Sequence, residues 1–197
     1  MTLMSQAAEE VAAVVAARRR TGVALVALDG MGGSGKSTLA AALAELCGAA
    51  VVHGDDFYRP MDPGIRAALS PQEGYHRYFD WQRLRAEVLA PLTAGRDAVY
   101  RRYDWDAGDL ATDESRRVTA SGVVVVEGVY TARPELARYY DLLVYVDTPP
   151  EESMRRLRAR GEHDGPIDWE LRWRMAEEHY LSVTRLRHRS DLTVAGH

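Results

Sequence analysis

The sequence has few of the features that mark secreted and membrane proteins. Its only cysteine is Cys47, so no intramolecular disulfide can form. No apolar run approaches the roughly 18 residues that a membrane-spanning helix requires. In the N-terminal segment VAAVVAARRR the positive charges follow the apolar residues, which is the reverse of the order in a secretory signal. We therefore expect a cytoplasmic protein that does not bind membranes.

Charge of one sign does not dominate the sequence either. The chain carries 25 Lys and Arg residues and 29 Asp and Glu residues, which gives a net charge of −4. Proteins that bind nucleic acid usually concentrate basic residues on one surface, and this mixed pattern does not predict such a surface. We expect a small-molecule substrate and no nucleic-acid partner, and the composition leaves the formation of a homo-oligomer open.

Short apolar runs alternate with segments of helical periodicity along the chain. Strands are predicted at 23–29, 50–55, 123–128, 141–147 and 191–195, and helices at 5–20, 37–46, 81–93, 149–160 and 168–187. This alternation is typical of α/β proteins and predicts a parallel five-stranded sheet with helices on both faces, in three layers. Because no linker interrupts the 197 residues, we predict that residues 1–197 form one domain.

Two segments do not fit the alternation. Residues 56–79 are rich in proline and glycine and are predicted to be irregular, and loops of this length tend to carry function. Segments 97–105 and 115–122 predict a small two-stranded antiparallel hairpin outside the main sheet. We interpret residues 56–121 as an insertion on the substrate side of the domain.

The strongest motif is GMGGSGKS at residues 30–37, which matches G-x-x-x-x-G-K-[ST]. It follows an apolar run and opens a helical segment, which is the context that the motif requires. Its glycines allow backbone N–H groups to surround a phosphate, while the Lys36 ammonium can reach the β- and γ-phosphates and the Ser37 hydroxyl can bind Mg²⁺. We predict that ATP is bound by Gly30, Gly32, Gly33, Ser34, Gly35, Lys36, Ser37 and Thr38. The sequence thus predicts a P-loop NTPase fold with ATP and Mg²⁺ as cofactors.

Several other classes of P-loop protein fit the sequence less well. GTPases need an N-K-x-D segment to bind guanine, and this sequence contains no asparagine. A motor ATPase would need a longer chain with a further lid domain. Small-molecule kinases remain, and the alternative from a different class is a nucleotide-sensing module that has lost turnover.

Acidic residues stand at the predicted ends of two strands. Asp55 and Asp56 close the second strand, and Glu127 closes the third. In open α/β sheets this edge binds ligands. Phosphoryl transfer to a hydroxyl needs Mg²⁺ at the phosphates and a group that accepts or orients the acceptor proton. These positions suit the two tasks, although Asp55 or Asp56 could instead only cap the following turn.

The order of the motifs resembles the uridine kinase and phosphoribulokinase family. The segments that carry the resemblance are GMGGSGKST, VVHGDDFYRP, YFDW, YDW, VVVVEGVY and DLLVYVDT, and they extend over residues 22–195. The DDFY segment is also similar to that of nicotinamide riboside kinases. The resemblance implies a kinase that phosphorylates the hydroxyl of a nucleoside-like molecule. A non-nucleoside acceptor, such as a vitamin precursor or a secondary metabolite, is the alternative, because YDWDAGDL lacks the His with which uridine kinases contact the pyrimidine.

The resemblance also assigns roles to individual residues. It implies that Asp55 is the catalytic base, that Glu127 supports Mg²⁺, that Asp80 holds the ribose hydroxyls and that Tyr103 lines the substrate. With Tyr58 of the DDFY segment, the predicted substrate-binding residues are Asp55, Tyr58, Asp80 and Tyr103. The predicted metal site consists of Ser37, Asp55 and Glu127.

Four arginines follow the fourth predicted strand, within residues 151–161. In the related kinases this region, here approximately 149–165, is a lid whose arginines cover the transferred phosphate. A solvated basic helix face is the alternative interpretation. Because helical spacing of four places Arg156 and Arg160 on one face, we predict that these two act in catalysis together with Lys36 and Asp55.

Overall fold

The computed structural model describes residues 3–18, 22–159 and 169–196. Its strands are β1 (Ala24–Asp29), β2 (Ala50–His53), β3 (Ala98–Tyr100), β4 (Tyr103–Asp104), β5 (Asp109–Leu110), β6 (Arg116–Val118), β7 (Val123–Glu127), β8 (Leu142–Asp147) and β9 (Leu192–Ala195). Its helices are α1 (Leu3–Arg18), α2 (Lys36–Cys47), α3 (Pro63–Ala68), α4 (Pro71–Arg77), α5 (Trp81–Leu84), α6 (Ala90–Thr93), α7 (Pro150–Ala159), α8 (Trp169–Thr184) and α9 (Leu186–Arg189). No helix among these residues is long and apolar enough to cross a membrane.

The centre of the molecule is a parallel five-stranded sheet in the order β2-β7-β1-β8-β9. All residues of β1 and β7 are buried, because helices cover both faces of the sheet. Successive side chains of β1 point to opposite faces. Val26 packs with α1 and α2, whereas Ala27 packs with the helical segment 81–93 and with α8. The predicted three-layer α/β fold is confirmed.

The insertion contains more regular structure than the sequence predicted. Residues 56–79 were expected to be irregular, but they include α3 and α4. Each of these helices has a proline in its first turn and an acidic or hydroxyl cap: Asp62 accepts from two backbone N–H groups of α3, and Ser70 forms a reciprocal capping box with Glu73. These caps stabilise helices too short to show a clear hydrophobic period.

The predicted hairpin is also divided. β3 pairs with β6 and β4 pairs with β5, both antiparallel, so residues 97–122 form two small sheets where the sequence predicted one. The predicted helix at 168–187 ends at Thr184, because Arg185 adopts a left-handed conformation, and α9 follows. Strand β2 ends at His53, two residues earlier than predicted, and residues 54–57 form a 3-10 turn.

A buried carboxylate joins the sheet to its surroundings at the end of β1. Asp29 is fully buried, and it accepts hydrogen bonds from the Gly30 N–H (2.6 Å), the Ala132 N–H (2.8 Å) and the Tyr180 hydroxyl (2.7 Å). These donors belong to the glycine loop, to the segment after β7 and to α8. Asp29 therefore holds together three elements that surround the carboxyl edge of the sheet.

Replacing Tyr180 with Phe should destabilise the protein, because a buried acceptor loses one of its donors while packing is kept. We expect a loss of about 1 to 2 kcal/mol in the free energy of unfolding, measured by urea denaturation. Tyr139→Phe is the matched control, since the Tyr139 hydroxyl accepts from Arg138 at the surface, and it should cost less than about 0.5 kcal/mol. Equal losses in the two variants would show that the Asp29 contact does not stabilise the fold.

Candidate active site

The glycine loop connects β1 to α2 and lies against the backbone of two other elements. A Cβ on Gly30 would lie 2.5 Å from the Val146 carbonyl oxygen of β8. At Gly33, which has a positive φ of 74°, a Cβ would clash with the Ser153 carbonyl of α7. Side chains are excluded at both positions, which lets the backbone of the loop lie directly against β8 and α7.

Lys36 closes this loop on itself. Its side chain is buried, and its Nζ donates to the carbonyl oxygens of Gly30 (3.0 Å) and Met31 (2.8 Å). Lys36 is also the only lysine in the sequence, since all other basic residues are arginines. The ammonium is therefore held at the mouth of the loop by weak backbone acceptors that a phosphate can replace.

Two further residues of the predicted ATP set lie around Lys36. Ser34 is buried, and its carbonyl accepts from the Thr148 hydroxyl at 2.9 Å, which links the loop to the end of β8. Thr38 is exposed in the first turn of α2. The loop and the start of α2 thus occupy the carboxyl edge of the sheet, where open α/β folds bind ligands.

Ser37 and Glu127 are brought together as the sequence predicted. The Ser37 hydroxyl donates to Glu127 Oε2 at 3.1 Å, and His53 Nδ1 lies 2.8 Å from Glu127 Oε1, because His53 and Glu127 are partners in the register of β2 and β7. Burial opposes the ionisation of Glu127, but the His53 hydrogen bond and the Lys36 charge outweigh it, so its pKa is lowered. The same hydrogen bond raises the pKa of His53. Glu127 is therefore an ionised carboxylate beside a hydroxyl.

This pair of oxygen donors fits Mg²⁺. A hydroxyl and a carboxylate are hard ligands of the kind that Mg²⁺ uses when it also binds phosphates and water. Among the described residues, no group of three His, Cys, Asp or Glu side chains is placed to hold a metal by protein ligands alone. Ser37 and Glu127 would thus hold a metal that arrives with the nucleotide.

Asp55 is the accessible carboxylate of the site. It lies in the 3-10 turn that follows β2, and its side chain is accessible to solvent although many protein groups surround it. Burial among these groups and the negative charge of Glu127 raise the pKa of Asp55 to about 6, against the lowering effect of Lys36. No described side chain pairs with this carboxylate.

Asp56 has a different environment from its neighbour. It accepts a hydrogen bond from the Tyr100 hydroxyl at 3.2 Å and lies 3.9 Å from Arg116. The prediction that Asp55 and Asp56 close the second strand is wrong, because both residues lie beyond the end of β2 and strand alternation does not direct their side chains. The 3-10 turn still directs them differently, so that only Asp56 is engaged by the insertion.

The predicted acceptor residues lie beside this turn. Backbone hydrogen bonds from Arg59 to Tyr78 and from Asp80 to Phe57, both 2.8 Å, place Asp80 next to the turn that carries Asp55. The Asp80 side chain also caps α5 and lies 3.4 Å from Arg59, so part of its accepting capacity is already used. Its position agrees with a substrate-binding role, which stays a prediction.

Tyr58 and Tyr103 belong to an aromatic cluster. The Tyr58 ring lies 4.9 Å from that of Trp105 and 4.8 Å from that of Trp173, and the Tyr103 ring lies 5.0 Å from Trp105. The Tyr103 hydroxyl accepts from Arg66 at 2.8 Å. Helix α8 contributes Trp173 to this cluster, which therefore joins the insertion to α8.

Helix α7 packs against the glycine loop. Arg156 Nη1 lies 3.5 Å from the Gly33 carbonyl oxygen, while its Nε donates to Glu152 at 2.7 Å. Arg156 is thus placed next to the phosphate-binding residues, as a lid arginine would be. The other predicted lid residue, Arg160, lies outside the described residues.

A further carboxylate of the site was not predicted from the sequence. Glu177 of α8 is buried, and its Oε2 accepts from the Gly32 N–H of the glycine loop at 3.0 Å. Burial raises the pKa of Glu177 to about 7, although Lys36 lowers it. The signal that could have indicated Glu177 is its place between Ala176 and Tyr180, on the face of α8 that is buried, because a charged residue is unusual there.

A cavity of about 440 Å³ lies beside the loop, at the carboxyl ends of β8 and β9. Its lining includes Asp147, Thr148, Pro149, Arg187 and Val194. An ion pair of 3.0 Å between Arg187 and Asp147 forms part of its wall. The volume is in the range of small-molecule sites, and the hydrogen bond from Thr148 to Ser34 connects it to the phosphate-binding loop.

Exchanging each aspartate for asparagine separates their roles. Asp55→Asn should lower kcat by about a hundredfold or more with little change in ATP affinity, because a general base is lost. Asp56→Asn should have a milder effect, since Asp56 is held by Tyr100 and Arg116. Steady-state kinetics with an accepted substrate would measure both, and a larger loss for Asp56→Asn would reassign the base.

Comparison with known proteins agrees with this geometry. The chain is 27% identical over 147 residues to a protein of Archaeoglobus fulgidus provisionally named a thymidylate kinase, an alignment that covers 70% of this chain and 71% of that protein. The structure of a possible uridine kinase from Bacillus stearothermophilus superposes with a TM-score of 0.71 and 22% identity, covering 98% of this chain and 97% of that one. A protein of Silicibacter sp. TM1040, provisionally named a fructose transport system kinase, superposes with a TM-score of 0.66 and 26% identity, covering 98% of both chains.

A sequence-family comparison identifies the larger group. Residues 26–181 match the family AAA_18, described as an AAA domain, so the match includes the whole glycine loop and extends through α7 into α8. The fold is that of P-loop kinases, which implies nucleotide binding, and the resemblance to uridine kinases and related P-loop kinases is confirmed. The chain belongs to the AAA_18 family and has the P-loop kinase fold.

Proposed function

We propose that the protein is a kinase that transfers the γ-phosphoryl group of ATP, with Mg²⁺, to a hydroxyl of a small nucleoside-like molecule. The observation that carries the proposal is the Asp55 carboxylate. It is accessible and unpaired among the described residues, and it feels the charges of both Lys36 and Glu127. A sensing module would bind nucleotide without needing such a base.

The residues of the site divide the work of phosphoryl transfer. Lys36 exchanges the carbonyl oxygens of its own loop for phosphate oxygens, and the loop N–H groups hold the remaining negative charge. Ser37 and Glu127 would hold Mg²⁺, which would neutralise charge on the phosphates. Arg156, beside the Gly33 carbonyl, is placed to contact the transferred group.

Asp55 takes the proton of the acceptor hydroxyl. With a pKa of about 6 it is mostly ionised at neutral pH and is more basic than an ordinary aspartate, which suits a general base. Because its pKa responds to the charges of Lys36 and Glu127, Asp55 is near the phosphate loop, where it would position the acceptor hydroxyl. The cavity at the ends of β8 and β9 is the part of the site that we assign to the nucleotide base.

The acceptor is held by Asp80, Tyr58 and Tyr103 in this proposal. Asp80 lies beside the turn of Asp55, and the aromatic cluster offers ring faces to a planar group. A non-nucleoside polyol is the second candidate. It is favoured by the hydrogen bond between Arg66 and Tyr103 and by the cap that Asp80 forms on α5, because both use groups that a ribose would need.

Substrate-dependent release of ADP tests the kinase proposal. A panel of ribonucleosides, vitamins and sugars should include at least one compound that stimulates ADP release by the wild-type protein with Mg·ATP. Lys36→Ala should abolish this activity and weaken ATP binding, because it removes the ammonium of the loop. If Lys36→Ala keeps a wild-type kcat with an accepted substrate, the assignment of the phosphate site is wrong.

Asp80→Asn tests the nucleoside part of the proposal. Asn still caps α5, but it loses the charge and one of the acceptors that two vicinal hydroxyls would share. If a ribonucleoside is accepted, its 2′-deoxy form should have a much lower kcat/KM in the wild-type protein, and Asp80→Asn should reduce that difference. Should only a non-nucleoside stimulate ADP release, the nucleoside acceptor is excluded and the kinase function is retained.

A further inference from the structure

Glu177 occupies the face of the glycine loop that should receive phosphate. Its Oε2 accepts from the Gly32 N–H at 3.0 Å, and its Oε1 lies 3.1 Å from the point that a Cβ on Gly32 would occupy. Both carboxylate oxygens therefore lie directly over this glycine. The Gly32 N–H, which belongs to the phosphate-binding loop, already donates to a carboxylate.

The opposite charge of the loop is also engaged within the protein. Lys36 Nζ donates to the carbonyl oxygens of Gly30 and Met31, so the ammonium is held by the backbone of its own loop. Glu177 thus accepts from one N–H group of the loop, and Lys36 donates to two of its carbonyl oxygens. A triphosphate must replace both sets of contacts to bind.

Glu177 does not have the partner that a structural carboxylate would have. Arg174, one turn earlier on α8, donates to Glu178 at 2.8 Å and to Ser153 at 3.2 Å. The only hydrogen bond of the Glu177 side chain among the described residues is the one from Gly32. Burial of this carboxylate is costly, and the charges of Lys36 and Arg174 and the Gly32 hydrogen bond compensate only in part, while the charge of Asp55 adds repulsion.

We propose that Glu177 is a displaceable anionic plug of the phosphate-binding loop, which a nucleotide must expel from Gly32 before its phosphates can bind. This inference rests on the proposed ATP site. The plug satisfies the Gly32 N–H, and it lowers the affinity of every anion that competes with it for the loop by the same factor. The displaced carboxylate and the incoming phosphates repel each other, so part of the affinity of the loop is used to move Glu177.

Glu177→Gln is the variant that tests the plug, because it keeps the size of the side chain and an oxygen that can accept from Gly32 but removes the charge. Isothermal titration should show that Mg·ATP binds at least about fivefold more tightly to Glu177→Gln than to the wild-type protein. Inorganic pyrophosphate, which lacks a base and a sugar, should show the same gain. Glu178→Gln is the matched control on the exposed side of α8, and its affinities should be unchanged.

The outcomes separate this inference from the proposed function. If the wild-type protein binds Mg·ATP and Glu177→Gln binds it equally or more weakly, the plug is overturned and the ATP site stands. If neither protein binds Mg·ATP, both fall. Binding by Glu177→Gln alone would support the plug in its strongest form.

Thermal unfolding supplies the second readout. By linkage, Mg·ATP should raise the Tm of Glu177→Gln by more than it raises the Tm of the wild-type protein. A lower Tm without nucleotide and an unchanged ATP-induced shift would indicate a structural clamp and would contradict the plug. If Glu177→Gln does not fold, Glu177→Asp, whose shorter side chain retracts from Gly32, should show the tighter binding of pyrophosphate, and unchanged or weaker binding would overturn the plug.

Discussion

The buried carboxylate of Asp29 is the interaction on which the rest of the site depends. A carboxylate placed at 0% exposure is stable only if its oxygens are satisfied, and the three donors that satisfy Asp29 come from the glycine loop, the segment after β7 and α8. The three hydrogen bonds that satisfy the buried Asp29 carboxylate therefore also fix where the phosphate loop begins and where α8 crosses it. From this arrangement follow the positions of Glu177 on the loop and of Trp173 in the aromatic cluster.

In the site that surrounds Asp29, the single ammonium group of Lys36 interacts with several carboxylates. Lys36 is among the charges that lower the pKa of Asp29, Asp55, Glu127 and Glu177, and it is the only lysine of the chain. Burial acts against ionisation at each of them, and the pKa values of Asp55 and Glu177 are raised to about 6 and about 7. A site with this balance is poorly suited to bare phosphates and well suited to phosphates that bring a metal cation.

The comparisons and the geometry describe different parts of the protein. The sheet, the glycine loop and the carboxyl edge are those of the P-loop kinase fold, and they account for nucleotide binding. The acceptor side is built from the short helices and small sheets of residues 56–121 together with α8. Fold and acceptor preference reside in separate elements. Similarity of the fold to known kinases therefore does not identify the acceptor, which must be found by experiment.

The sequence alone determined the parts of the protein that depend on local chemistry. Strand and helix periods, together with the spacing of GMGGSGKS, were enough to predict the parallel sheet. In that sheet Glu127 pairs with Leu28 at the end of β1, close to the glycine loop, and it accepts a hydrogen bond from Ser37. Tertiary structure decided what depends on contacts between distant segments. No local pattern in the sequence indicates that β2 ends at His53. Nor does a local pattern relate Asp56 to Tyr100 or Glu177 to Gly32, which form hydrogen bonds between distant segments. Glu177 and Glu178 are adjacent and chemically identical, and only the packing of α8 against the loop buries one and leaves the other in solvent.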